Sequence, residues 1–212
     1  MSHHFIKFSD VSFTYPDGHR ALKNISFTVT HGEKVALLGL NGSGKSTLLL
    51  QTNGLLMPSA GEVNIGDVPL SRQTLKIIRR SVGMVFQNPD DMIFMPTIFD
   101  DVAFGPRNMG LPENEVKRRT ESALEEVGLS DVAGKAAFQL SGGQRRSAAI
   151  AAVLSMEPDI LVLDEPSANL DPLARRNLIN LLKSFSHTVI IATHDFSLAK
   201  ELCLRAILLS DG

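Results

Sequence analysis

Apolar positions along this chain follow two rhythms. Near the N-terminus, Phe5 to Tyr15 and Ile25 to Thr30 alternate apolar and polar residues, as strands with one covered face do, and the turn PDG at Pro16 to Gly18 separates them. They read as antiparallel strands. Lys34 to Leu38 (KVALL) is a short continuous apolar run fit for a buried strand, and Ser46 onward (STLLLQTNG) reads as a helix ended by Gly54. A short strand pair around Glu62 to Val68, a helix near Arg72 to Arg80 and the apolar run Val82 to Phe86 follow. From Asn88 to about Met156 the pattern turns helical, most clearly in Glu113 to Val127 closed by Gly128. The tail returns to alternation: strand Ile160 to Leu163, helix Pro172 to Phe185, strand Thr188 to Ala192, helix Phe196 to Leu204, strand Ala206 to Leu209. Strands alternating with helices of this length predict an α/β fold with a mostly parallel sheet, an antiparallel N-terminal part and an inserted helical subdomain.

Composition narrows the class without changing the fold. A chain of 212 residues with 43% apolar content can bury a full core as one domain. The formal net charge of −2 argues weakly against a nucleic-acid surface, which usually shows as a strongly basic face. No apolar run approaches the ~18 to 20 residues that span a bilayer, and the start MSHHFIKFSD has no apolar leader core, so the chain is expected to be cytosolic or peripheral. Cys203, the single cysteine, lies in the apolar-periodic stretch FSLAKELCLRA and reads as a buried structural thiol.

Chemistry enters at Gly39 to Thr47, GLNGSGKST, which fits G-x-x-x-x-G-K-[ST] between a predicted strand and a predicted helix. Glycines at 39, 42 and 44 let the backbone curl so that successive N–H groups face a phosphate, and the helix adds its positive end. Lys45 can then reach the β- and γ-phosphates, and the Ser46 hydroxyl can hold Mg²⁺. A second group follows the apolar run of ILVLDEP, Ile160 to Pro166. Asp164 comes to the carboxyl end of a central strand, placed to complete a metal shell, and Glu165 can polarise an attacking water. A third group, Leu140 to Gln144 (LSGGQ), opens a helix with a hydroxyl and two glycines, which makes another anion site. One chain already has its phosphate loop, so this second site is expected to serve a nucleotide held by another subunit.

With these residues in order, the whole chain resembles the nucleotide-binding subunit of an ATP-binding cassette (ABC) transporter. The resemblance implies a P-loop ATPase using ATP and Mg²⁺, organised as one domain over 1–212: a nucleotide core with an antiparallel β-subdomain at 1–87 and 157–212, and a helical signature subdomain at 88–156. It assigns the Walker A loop to Gly39, Asn41, Gly42, Ser43, Gly44, Lys45, Ser46 and Thr47, and the signature to Ser141, Gly142, Gly143 and Gln144. Tyr15 in FTYPDG matches the aromatic that stacks on adenine, Gln87 the Q-loop glutamine at the metal and water, and His194 in IATHD the switch histidine near the γ-phosphate. Asp164 matches the Walker B carboxylate, Glu165 the base, and Ser167 to Asp171 the D-loop. Catalysis is thereby expected from Glu165, His194, Gln87 and Lys45, and metal binding from Ser46, Gln87 and Asp164.

Phe86 to Leu111, FQNPDDMIFMPTIFDDVAFGPRNMGL, is similar to the energy-coupling-factor (ECF) type of importer, closest within it to the cobalt and nickel importer ATPase, with vitamin importers sharing these strings. That resemblance implies a homodimer, or pairing with a related ATPase, at the cytoplasmic face of the membrane beneath a coupling subunit and a substrate-capture subunit, with no nucleic acid. Met92, Ile93, Phe94, Met95, Ile98, Phe99, Met109 and Leu111 concentrate apolar side chains in a stretch punctuated by Pro and Gly, as an adaptable docking surface would. A non-transport ABC ATPase would need coiled-coil arms or a tandem cassette. A small-molecule P-loop kinase would lack LSGGQ and SANLD.

Overall fold

The alternation read from the sequence resolves into two separate sheets in the computed structural model, which describes residues 5–212; the first four residues of MSHHFIKFSD lie outside the described residues. The strands are β1 (Ile6–Thr14), β2 (Arg20–Val29), β3 (Lys34–Leu38), β4 (Ala60–Ile65), β5 (Val68–Pro69), β6 (Val82–Val85), β7 (Ile160–Asp164), β8 (Thr188–Ala192) and β9 (Arg205–Leu208). The helices are α1 (Lys45–Thr52), α2 (Leu75–Ser81), α3 (Ile98–Asn108), α4 (Glu113–Glu126), α5 (Gly142–Leu154), α6 (Pro172–Ser184) and α7 (Phe196–Leu202).

Two units divide these elements. The first comprises Met1–Met84, Asp159–Glu165 and Ser186–Gly212. It holds an antiparallel sheet of order β2-β1-β4-β5 and a second sheet of order β6-β7-β8-β3-β9, in which β7, β8, β3 and β9 run parallel. Every residue of β7 and β8 is buried, which is why both read as unbroken apolar runs rather than alternating ones. β2 begins at Arg20, five positions before the expected Ile25, because the β1–β2 ladder carries register shifts and both Asp10 (φ 50°) and Asn24 (φ 53°) adopt left-handed backbone. Such bulges break the period-2 pattern that would have marked the strand. α2 starts at Leu75 rather than Arg72, behind a turn in which the Thr74 hydroxyl donates to the Pro69 carbonyl at 2.7 Å. Cys203 follows α7 and is half-buried; burial pushes its thiol up to about 11.

The second unit comprises Val85–Pro158 and Pro166–Phe185, so α6 groups with the helical segment rather than with the strands that flank it in sequence. α3 carries Pro106 inside it, and a proline there has no N–H to give the carbonyl four residues back. That carbonyl, of Val102, accepts the buried Ser155 hydroxyl at 2.7 Å instead, so the helix continues through Gly105–Pro106. Across the docking stretch, Ile93 and Ile98 are core, whereas Phe94 is 64% exposed and meets Phe104 edge-on at 5.0 Å. No helix among the described residues is long and apolar enough to cross a membrane.

Candidate functional site

In the first unit, β7, β8 and β3 are neighbours in one parallel sheet, so the segments leaving their carboxyl ends meet. β3 delivers the loop Gly39 to Gly44, β7 delivers Asp164 and Glu165, and β8 delivers Thr193 and His194. The loop is shaped for close approach. A Cβ on Gly39 would lie 2.5 Å from the Leu209 carbonyl oxygen, and one on Gly44 (φ 98°) 2.6 Å from that of Ala21. Gly44 also ends the loop as the N-cap of α1 without a side-chain cap, which leaves the first N–H groups of the helix to an external acceptor. Lys45 is 7% exposed, and its Nζ donates to the carbonyls of Gly39 at 2.9 Å and Leu40 at 3.1 Å. The loop thus pre-sets the cation that a phosphate would meet. Asn41, Gly42 and Ser46 are exposed on this loop, and Ser43 Oγ is buried without a hydrogen-bond partner.

Glu165 sits at φ 46°, a conformation uncommon for a residue with a Cβ, and its N–H donates to the Ala192 carbonyl at 2.8 Å, which ties the end of β7 to that of β8. Its Oε2 accepts from Thr193 Oγ1 at 3.2 Å and from the His194 N–H at 3.3 Å, and lies 2.9 Å from His194 Nδ1. Asp164 and Glu165 are each 6% exposed, while the His194 side chain is 69% exposed. Thr193, which sequence reasoning passed over, is fully buried between two motif residues; its position directly before His194 is the only local signal it gives. Tyr15 joins this unit from β1: its hydroxyl lies 2.9 Å from Thr47 Oγ1, and its ring meets Phe13 edge-on at 4.9 Å. A cavity of about 770 Å³ opens beside Gly39, Asn41 and His194, walled by Phe196 and Leu208.

A nucleoside triphosphate fits these residues. The loop offers N–H groups and a fixed ammonium to phosphate, and the exposed Ser46 hydroxyl and the Asp164 carboxylate are hard oxygen donors of the kind Mg²⁺ takes.

The second unit holds the remaining expected residues. Ser141 caps α5 through a reciprocal box: its Oγ accepts from the Gln144 N–H at 3.2 Å, and Gln144 Oε1 accepts from the Ser141 N–H at 2.9 Å. Gln144 is thereby engaged with the backbone of its own turn, while Ser141 and Gly142 remain exposed. The S-x-x-Q spacing is the local signal of that box, and the sequence reading did not use it. Gln87 is exposed at the rim of a polar cleft of about 330 Å³ that Gly142, Arg145, Arg146 and Asn169 also line. In the D-loop segment, Asp171 Oδ1 caps α6 by accepting from the N–H groups of Leu173 and Ala174, both at 2.9 Å. Tyr15, Lys45, Asp164, Glu165 and His194 therefore share the first unit, and Gln87 and Ser141 the second.

Comparison with known proteins identifies the family. The family model described as ABC transporter matches residues 22–168. An ABC transporter ATP-binding protein of Geobacter sulfurreducens is 57% identical over 212 residues, covering 100% of this chain and 85% of the relative. The energy-coupling factor transporter ATP-binding protein EcfA of Methanothermobacter thermautotrophicus is 47% identical over 98% of this chain and 68% of its own length. Among solved structures, cbiO1 of Clostridium perfringens, part of the ABC transporter complex cbiONQ, superposes with a TM-score of 0.89 at 39% identity, covering 100% of this chain and 86% of its own. The ATP-binding cassette MJ0796, solved as a dimer in a post-hydrolysis state with ADP and Pi, gives 0.89 at 33% identity over 98% of this chain and 95% of its own. The chain belongs to the ABC transporter family, as an ATP-binding domain of its ATPases.

Proposed function

We propose that this ATPase powers an ECF-type importer of cobalt or nickel ions and works as a head-to-tail dimer on the cytoplasmic face of the membrane. The observation that carries the chemistry is the meeting of the Lys45 loop, Asp164–Glu165 and Thr193–His194 at the ends of adjacent parallel strands. The ECF assignment is supported by the 47% identity to an EcfA protein and by the FQNPDD and DVAFGP strings. The domain runs through 1–212 as one cassette, with 88–156 as its signature subdomain.

In the proposed mechanism the loop N–H groups and Lys45 bind the β- and γ-phosphates, and Tyr15 stacks on the base. Ser46 and Asp164 would hold Mg²⁺, which would spread the developing charge on the phosphoryl oxygens, and Gln87 is read as a further residue of the hydrolytic step. Glu165 takes the proton of the attacking water at its carboxylate, and His194, whose backbone N–H donates to Glu165 Oε2, holds that carboxylate in place beside the γ-phosphate. Ser141, Gly142, Gly143 and Gln144 form the turn that meets the nucleotide of the partner subunit.

Reconstitution with a membrane coupling subunit and a capture subunit tests the transport reading. ATP-dependent uptake of Co²⁺ or Ni²⁺ is expected, and uptake of a vitamin instead would move the chain to the vitamin branch of the same importers. Failure to bind any membrane component would sink the importer reading while leaving the ATPase intact.

A further inference from the structure

Two consecutive arginines follow the signature turn and hold a distant segment of the same unit. Arg146, on the first turns of α5, is 5% exposed; its Nη1 donates to the Phe86 carbonyl at 3.0 Å and its Nη2 to the Gln87 carbonyl at 2.6 Å. Arg145 Nη1 donates to the Leu140 carbonyl at 2.8 Å, and its Nε lies 2.9 Å from Asp90 Oδ1 as an ion pair whose N–H points off the line to the oxygen. Residues 86–90 are thus pinned at three points to the turn that begins with Ser141.

A guanidinium is a flat fork, and two parallel N–H groups on two successive carbonyls fix the direction of the chain as well as its position. A buried cation also resists release, because its N–H groups would lose their partners without gaining water. The Gln87 side chain is exposed while its own carbonyl is clamped, so where that amide can reach is decided by Arg146. We propose that Arg146 is the positioning residue for Gln87, and that Gln87 and the turn Ser141–Gly143 consequently move as one rigid piece. This rests on the reading of Gln87 as a residue of the hydrolytic step. Arg145 reinforces the clasp from the exposed side through Asp90.

A double-mutant cycle on the full chain tests it, with turnover measured at saturating ATP and KM measured alongside. Gln87→Ala and Arg146→Ala should each lower kcat by about ten-fold or more with less than about a two-fold change in KM, and the double variant should be no slower than Gln87→Ala alone. Arg146→Lys should recover part of the loss, since an ammonium can satisfy one carbonyl and not both. Amide exchange should quicken at Phe86 to Asp90 in Arg146→Ala and stay slow within Ala148 to Leu154. If Gln87→Ala turns over normally, the reading of Gln87 fails and this proposal with it. If Gln87→Ala is slow but Arg146→Ala adds its full loss on top, or a wild-type-like melt accompanies unchanged kcat in Arg146→Ala, Arg146 has no such role while Gln87 keeps its own. Should Arg146→Ala not fold, the same cycle run with Arg146→Lys carries the same outcomes.

Discussion

His194 Nδ1 lies 2.9 Å from Glu165 Oε2, although the two residues leave different strands. Thr193 Oγ1 and the His194 N–H aim at the same oxygen, from 3.2 and 3.3 Å. Donors collected on Oε2 fix the orientation of the carboxylate. The register of β7 with β8, which pairs Asp164 with Ala192, is what brings these groups together.

Removing the base should therefore separate binding from chemistry. Glu165→Gln keeps the shape and loses the proton acceptor, so turnover should drop by about 10² to 10³ while ATP affinity stays within a few-fold. Lys45→Ala should lose both together, because its ammonium meets the phosphates in ground state and transition state alike. Nucleotide binding and phosphate release measured side by side check this. Near-normal hydrolysis by Glu165→Gln with Mg²⁺ present would show that Glu165 is not the base.

Tyr15 gives a second separation. Its ring is braced by Phe13 and its hydroxyl by Thr47, so on the proposed reading the hydroxyl places the ring that stacks on the base. Tyr15→Ala should weaken ATP binding by about ten-fold, in line with ~1 to 3 kcal/mol for an aromatic on a base, and Tyr15→Phe by much less. Titration with a fluorescent ATP analogue reads both. Equal losses in the two variants would mean that the hydrogen bond to Thr47, and not the stack, carries the effect.

The sequence disclosed the catalytic strands well and the contacts between motifs poorly, for physical reasons. β7 and β8 are covered on both faces, so their burial is written as unbroken apolar runs, and the phosphate loop is written as glycines that side chains would obstruct. β2 lost its first residues to bulges at Asp10 and Asn24, and α3 was hidden because Gly105–Pro106 normally stops a helix. There the compensating hydroxyl comes from Ser155, far along the chain. Arg146 was invisible for a related reason: its partners are main-chain carbonyls of Phe86 and Gln87, and a carbonyl has no residue type to recognise.

Docking should be most sensitive at Phe94. It is exposed, braced by Phe104, and held at its N–H by the buried carboxylate of Asp101, at 2.8 Å. Met92 is a poorer probe, because its sulfur accepts the Phe86 N–H and a charge there would disturb the fold. Phe94→Asp should leave basal hydrolysis of the isolated protein within about two-fold and abolish stimulation by the membrane partner, as surface changes away from the core cost little stability. A lowered melting temperature in Phe94→Asp would identify the ring as core packing instead.

Acid should loosen the helical unit through Glu115. Hydrogen bonds from Arg118 first and Arg119 second hold its carboxyl down to about 2 from an ordinary 4.5. A carboxyl lowered on folding adds stability above its unfolded pKa, and that contribution disappears as pH falls from about 4.5 towards about 2. The network is open to solvent, so the effect is small and salt-sensitive. Glu115→Gln should melt slightly below wild type at pH 7, and the gap should narrow below about pH 4.5 and close towards pH 2. A gap that stays constant with pH would mean that shape, not charge, explains it.

A dimer is expected if the two helix starts on one chain, Gly44–Lys45 and Ser141–Gly142, each bind the phosphates of a nucleotide. If both faced a single nucleotide within one chain, nothing would be left for a second subunit to bind; if each faces the nucleotide of a different loop, two copies close on two ATPs as a head-to-tail pair. The triphosphate then acts as the glue, and association should track its presence. Glu165→Gln, which holds ATP without splitting it, should scatter light as a dimer with Mg-ATP and as a monomer with ADP. Ser141→Arg should stay monomeric in both, because a long side chain blocks close approach at the exposed start of α5. Mixing Lys45→Ala with Ser141→Arg places both lesions in one composite site and leaves the other whole. Activity recovered above either variant alone would fix the shared-site geometry, and no recovery would require either that this geometry be abandoned or that the two sites fire only together, which single-turnover phosphate counts on the mixed dimer distinguish.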